Sequence, residues 1–388
     1  MPRLFYPNQF RVLDIYDVLS QNFVIFPFNF HQCKVRLVTF VVFTSEQEKI
    51  VRTEILNGIF QICHRISNLM DDYRLDITHW STVEVVVYSY SMPESIILRP
   101  ILENNLAKIM ASLVDWDESM TASCKELVDH WVSLKSIESN PGGLQKMNEV
   151  MIEEFEKRGF EVSLIENAEA PYRPIIIAKH FSSDEKPVVG FFGHYDVEPA
   201  DPSEWETDPW VLTDVDGRWQ GRGVTDNLVP IAQRLLMSDI MAEQVNLFFI
   251  LQGEEEIGSP FTLATYGSLE LPSIDLWVEE TGYFYKDGRH RMMVLNRSPK
   301  LEKVIEGIIE LNLEDGRTTN VRDRPLNKAF GAENCPCLVH LLKEVPYIAL
   351  GPNDDHSKVH GINESMDPKL LHISANQLMK AVQVLADG

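Results

Sequence analysis

The chain has 388 residues, 44% of them hydrophobic and 24% charged; this suits a globular protein of two or three domains, or one large α/β domain with an appendage. Its formal net charge of −23 opposes binding to nucleic acid, whose affinity comes mainly from Lys and Arg, and fits either divalent cations or plain solubility. Five scattered cysteines, Cys33, Cys63, Cys124, Cys335 and Cys337, do not make a secreted disulfide framework and fit a reducing compartment.

The opening MPRLFYPNQFRVLDIYD lacks a basic start followed by an unbroken apolar run, so it does not read as a signal peptide. The most apolar stretch, residues 35–44, is strand-length and too short to span a membrane. A cytoplasmic protein without membrane contact is expected. Residues 1–115 read as a small α+β domain. KVRLVTFVVFT is a β-branched and aromatic strand. Ser45 and Glu48 form a capping box before a helix with Ile50, Ile55, Leu56, Ile59, Ile62 and Ile66 at helical spacing. STVEVVVYSYS is a second strand, and residues 98–113 a second helix. His31, His64 and His79 are isolated there and read as structural.

The pattern changes near residue 116. Helices are expected over residues 120–134 and from the Asn140-Pro-Gly-Gly turn to about Gly159. Strands follow around 174–179 and 188–192, then a helix after Asp226, the strand VNLFFIL, a helix after Pro260 and the strand IDLWV. Alternating strands and helices predict an α/β unit over residues 116–388, with a mostly parallel sheet covered by helices on both faces. Functional groups in such sheets gather where strands end and loops begin.

Five segments bring acids or histidines to such places. The strand at 188–192 runs into His194 and Asp196. These share a face if the strand continues, which suits a metal-bound imidazole backed by a carboxylate that fixes its tautomer. DGRWQGRGVTDN ends in Asp226 after glycines that permit a tight turn; Asp226 either bridges two cations or caps the next helix. VNLFFIL leads into QGEEEIGSP, whose adjacent carboxylates Glu254, Glu255 and Glu256 form either a solvated acidic turn or a cluster held by a cation. IDLWV runs into Glu279 and Glu280, and NDDHSKVHGINESM supplies His356 and His360. Cys335-Pro-Cys337 has no second pair at zinc-site spacing and reads as structural.

GHYDVEPA, GRGVTDN, GEEEIGS and HGINE, in this order, resemble the signature of the zinc aminoacylase and carboxypeptidase family, which includes carnosinase, acetylornithine deacetylase and succinyl-diaminopimelate desuccinylase. Each motif alone is weak, but four in order in strand–loop contexts are specific. The resemblance implies two Zn²⁺ ions, with Co²⁺ or Mn²⁺ as substitutes. His194 would bind one zinc, Asp226 bridge both, and Asp196 orient His194. Glu256, Glu280 and His360 would complete the ligands, with Glu279 as the alternative register and His356 as a competitor. Glu255 matches the general base. The implied reaction is hydrolysis of an amide in a peptide, N-acyl amino acid or similar small molecule by a dizinc-bound hydroxide. Amide formation or cyclisation at the same site is the alternative, followed by a non-catalytic relative that binds a partner.

The chain departs from that family in three ways. Residues 297–334 are too few for the lid domain usually inserted between the last two ligand motifs. The lid's oxyanion-stabilising histidine is missing with it, leaving Arg297, Arg322 or Arg324 as candidate substitutes, while His340 reads as structural. Asn227-Leu228 follows Asp226 where Lys-Gly is usual. The N-terminal domain is additional; it either closes over the zinc site or binds a partner.

Overall fold

The computed structural model describes residues 116–279, 282–326 and 335–388. The expected N-terminal domain, with its histidines and Cys33 and Cys63, lies outside the described residues, as does Glu280.

Helix α1 (Glu118–Ser133) begins where the Asp117 carboxylate accepts the Met120 N–H at 2.7 Å. It buries Cys124, Val128, Trp131 and Val132 along one stripe. Asn140 caps α2 (Pro141–Lys157), and Pro141 occupies its first turn, where a missing N–H does no harm. There follow β1 (Glu161–Ile165), β2 (Ile175–His180), β3 (Val188–His194), β4 (Thr213–Val215) and β5 (Arg218–Gln220). Next come α3 (Val229–Leu236), α4 (Ser238–Ala242), β6 (Asn246–Gln252), α5 (Pro260–Thr265), β7 (Leu276–Glu279), β8 (Tyr283–Phe284) and β9 (His290–Leu295). The chain continues through α6 (Pro299–Glu314), β10 (Thr319–Asp323), β11 (Tyr347–Ala349), β12 (Asn353–Asp354), β13 (Ser365–Met366) and α7 (Lys369–Ala386).

The main sheet has the order β1-β2-β6-β3-β7-β11-β9-β8-β12, with β10 beside β9. Its centre, β6-β3-β7-β11, is parallel. The parallel character expected from sequence weakens outside that centre, because β1/β2, β2/β6, β11/β9 and β9/β8 pair antiparallel. Central strands are buried on both faces, so β3 and β6 read as continuous apolar runs. Alternation then sorts their side chains between two cores. Val189, Phe191, Leu247, Phe249, Leu251 and Val278 face one, and Val188, Phe192, Phe248, Ile250 and Trp277 the other.

Residues in the span too short for a lid complete this unit instead. Helix α6 lies against α7, where the Gln377 amide donates to Asn312 Oδ1 at 2.8 Å, and β10 extends the sheet beside β9. A second, three-stranded sheet, β13-β5-β4, ties the C-terminal loop to the segment before Asp226. Among the described residues, no helix is long and apolar enough to cross a membrane.

Candidate metal centre

The C-terminal ends of β3, β6 and β7 point chemistry-bearing residues to one edge of the sheet, as parallel topology favours. Strand β3 ends at His194, so strand alternation does not carry on to Asp196. The chain turns there, and Tyr195 N–H donates to Gln252 O at 2.8 Å. Gly253 lies against the Tyr195 ring, in space that a Cβ would fill. His194, only 2% exposed, has Nδ1 3.0 Å from the Asp196 backbone carbonyl and 3.4 Å from its Oδ1. The carboxylate of Asp196 also serves the neighbouring turn. Its Oδ1 accepts Glu255 N–H at 3.1 Å and its Oδ2 accepts Glu256 N–H at 3.0 Å, pinning the acidic turn.

The three glutamates of that turn separate. Glu254 is buried and acts as a remote cap for α5, accepting the N–H and hydroxyl of Thr262 at 2.8 and 3.0 Å. Glu255 and Glu256 stay with His194, the donor atoms of all three lying within 4.8 Å of one another. Glu256 Oε1 accepts Glu198 N–H at 3.1 Å, and Oε2 stands 3.1 Å from His360 Nε2. Burial pushes Glu255 above the usual carboxylate range and Glu256 up to about 7.

Asp226 lies in the turn Val224–Leu228, in an extended backbone conformation. Gly223 leads into it with φ of 78°, where a Cβ would collide with Val197. Helix α3 has no side-chain cap, so Asp226 is not its cap. Instead its two oxygens face two imidazoles: Oδ1 is 2.9 Å from His194 Nε2, and Oδ2 is 2.9 Å from His360 Nε2. His360 is half exposed and has a left-handed φ of 59°.

The donor chemistry fits divalent cations. A backbone carbonyl only accepts, so His194 Nδ1 carries the proton, and a neutral ring then turns the Nε2 lone pair toward a carboxylate. Two electron pairs at 2.9 Å call for a positive charge between or on them. The imidazole pKa values express the same demand. Burial opposes charging of His194, but Asp196 and Asp226 outweigh it and hold its pKa well above the usual range. Asp226 and Glu256 lift His360 to about 11. Asp226 is pulled below the carboxylate range despite burial, by its bonds to both rings. Imidazole nitrogens and carboxylate oxygens are the ligands zinc takes in catalytic sites.

The sequence pattern of peptidase family M20/M25/M40 matches residues 190–386, a span that contains every group in this cluster. The chain belongs to that family. Similar M20 relatives include the Beta-Ala-His dipeptidase of Mus musculus, 46% identical over 98 residues, which are 23% of this chain and 19% of that protein. The Cys-Gly metallodipeptidase dug1 of Schizosaccharomyces pombe is 33% identical over 111 residues, covering 27% and 23%. The chain therefore spans about a fifth of the length of the curated relatives it matches. In fold it is similar to the M20 family metallo-carboxypeptidase Sso-CP2 from Sulfolobus solfataricus, with TM-score 0.53 at 15% identity over 70% of this chain and 100% of that one. It is also similar to the dipeptidase Dug1p of Saccharomyces cerevisiae, with TM-score 0.52 at 13% identity over 73% and 99%.

Other expected groups lie elsewhere in the M20 unit. Glu279 is buried, its Oε2 accepting the Tyr347 hydroxyl at 2.6 Å and its Oε1 lying 3.4 Å from Arg324. The backbone N–H of His356 donates to Asp354 Oδ1 at 2.9 Å; the metal-capable groups among the described residues include His360 and not His356. Arg297 is engaged on the surface by Asp323 and Glu302 at 2.9 and 2.8 Å, and Arg322 is exposed on β10. Cys335 and Cys337 are not disulfide-bonded, and burial pushes the Cys335 thiol up to about 12, far from a ready thiolate. His340 packs beside Gly267.

Two residues given no role by the sequence reading stand at the site. A Glu198 oxygen lies within 4.8 Å of donor atoms of Glu256 and His360. Glu364, 1% exposed, reaches under the Asp226 turn. Both sit inside the motifs GHYDVEPA and HGINE, and that proximity was their only signal.

Proposed function

We propose that residues 116–388 are a zinc-dependent amidohydrolase unit that cleaves the amide of a dipeptide, N-acyl amino acid or similar small molecule. The observation that carries this reading is Asp226, whose two oxygens each lie 2.9 Å from a different imidazole Nε2, a donor set that would suit divalent cations. His194, Asp226, Glu256, Glu280 and His360 would hold two zinc ions, with Co²⁺ or Mn²⁺ as substitutes. The commitment of Glu279 to Tyr347 and Arg324 supports Glu280 as the remaining acid. Zinc bound there would supply Lewis acidity toward a scissile carbonyl and a bound water.

The chain's own groups do the rest. The Asp196 carbonyl fixes the His194 tautomer, so that Nε2 is the ligating atom. The Asp196 carboxylate holds the Glu255 backbone, aiming a carboxylate that is not spent on metal into the cluster. Glu255 takes the proton of the attacking water at its carboxylate and returns it to the leaving amine. The relatives named above act on Beta-Ala-His and Cys-Gly dipeptides, which favours short peptides as the first substrates to try.

The test is incubation of the zinc-loaded full chain with a panel of dipeptides and N-acetyl amino acids, with products read by mass spectrometry. Hydrolysis gives fragments whose summed mass is the substrate plus one water; a product lighter by one water would instead mean condensation. Glu255→Gln should keep its zinc and lose turnover by ~10²–10⁴-fold. Unchanged turnover would remove Glu255 from this role.

A further inference from the structure

The Asp226 turn and the His360 loop are far apart in sequence, and one buried carboxylate gathers donors from the turn. Glu364 receives five donors: Arg222 Nη1 at 2.9 Å, Gly223 N–H at 2.9 Å, Thr225 N–H at 3.0 Å, the Thr225 hydroxyl at 2.8 Å and Asp226 N–H at 3.4 Å. Its backbone carbonyl accepts Gly221 N–H at 3.1 Å, and the next residues, Ser365 and Met366, pair with Gln220 and Trp219. The stretch 219–226 is thus zipped onto 364–366.

We propose that Glu364 is a positioning residue that locks the Asp226 turn to the His360 loop and so fixes the bridging stance of Asp226 between the two imidazoles. Four of its five donors belong to the turn's own backbone or to Thr225, so the carboxylate is matched to the turn and is more than a counter-ion for Arg222. Backbone N–H groups gathered in a turn make a concavity suited to an anion, and those of Gly223, Thr225 and Asp226 converge on this carboxylate. The far side of the lock needs fixing as well. Lys358, His360 and Asn363 all adopt left-handed φ values, of 51°, 59° and 60°, which non-glycine residues hold only when their surroundings impose them. Asn363 contributes by accepting Glu206 N–H at 2.9 Å and the Gln220 amide at 3.3 Å. Its side-chain partners include the backbone N–H of Asp226 and no ligating atom of the proposed set, so it acts through the backbone of Asp226.

This inference rests on the proposed metal site, and its test reads zinc binding without substrate. Metal-free full chain is titrated with zinc by calorimetry, with thermal unfolding measured with and without zinc. Glu364→Gln keeps the shape but swaps one acceptor oxygen for an NH₂ that faces donors. Zinc affinity should fall about 10–100-fold, as for other groups that hold ligands from behind, and the zinc-induced rise in Tm should shrink. Thr225→Val removes one donor while sparing the ion pair, and should move both readouts the same way by less; it decides the matter if Glu364→Gln fails to fold. An equal drop in Tm with and without zinc, at unchanged zinc affinity, would make Glu364 merely structural and overturn the proposal. A parent protein that binds no zinc would overturn both this inference and the proposed function, whereas unchanged affinity in both variants would overturn this one alone.

Discussion

Asp196→Asn separates the job the sequence assigns to this carboxylate, backing His194, from the one the structure adds, holding the acidic turn. The side chain is 3% exposed, and its two oxygens accept Glu255 and Glu256 N–H at 3.1 and 3.0 Å. An amide has one acceptor oxygen, so whichever way it turns, one of these N–H groups meets an NH₂. Hydrogen bonds to a charged acceptor contribute ~1.5–3 kcal/mol each, and an orphaned buried donor costs ~1–3 kcal/mol. Because the two effects overlap, the expected destabilisation is about 2–4 kcal/mol. For a unit of this size that lowers Tm by roughly 5–15 °C. His194 keeps its nearer partner, the backbone carbonyl at 3.0 Å, so its tautomer survives. The damage falls on the acidic turn, and zinc affinity should drop about 10–100-fold through Glu256. Circular-dichroism melts of the metal-free protein and zinc titration measure the two effects. A variant melting with the parent would refute the assignment of the carboxylate to the turn.

Three further outcomes follow from the same geometry. His360→Ala should lose bound metal in elemental analysis after desalting, while His356→Ala retains it. His290 is held down to about 3 by burial, then by Arg317 and Arg291; its folded pKa lies below the unfolded value of ~6.5. Its contribution is therefore whole above ~6.5 and is lost as pH falls toward 3, by about 1.4 kcal/mol per pH unit. His290→Gln should flatten the pH dependence of unfolding free energy between pH 6 and 4 by about one proton, as read by urea titrations at stepped pH. Phe249 is 1% exposed and stacks on Phe191 with centroids 4.6 Å apart, so Phe249→Ala should cost about 3–5 kcal/mol in the same titrations.

The central strands were legible because a strand buried on both faces leaves an unbroken apolar run, as VVGFF and NLFFIL do. Strands of two or three residues, such as β12 and β13, carry no periodicity and emerge only from pairing. Recurring acids and histidines at strand ends pointed to the cluster, and the turn chemistry of Gly223 could be read locally. The division of labour within Glu254, Glu255 and Glu256 could not, since it depends on Thr262, Asp196 and His360 arriving from other loops. Asp196 shows the limit well. Spacing pairs it with His194, and its Oδ1 does lie 3.4 Å from the ring, but the peptide carbonyl is nearer at 3.0 Å and the same carboxylate also pins the turn. Glu364 was hidden for a related reason, because its partners lie well over a hundred residues upstream.

The two imidazoles meet water unequally. His194 is walled in by the sheet at 2% exposure, while half of the His360 side chain is open. On the proposed ligand set, an ion held by His360 would exchange with the medium faster than one held by His194. Chelation would then proceed in two phases of very different speed, passing through a long-lived form that holds a single ion.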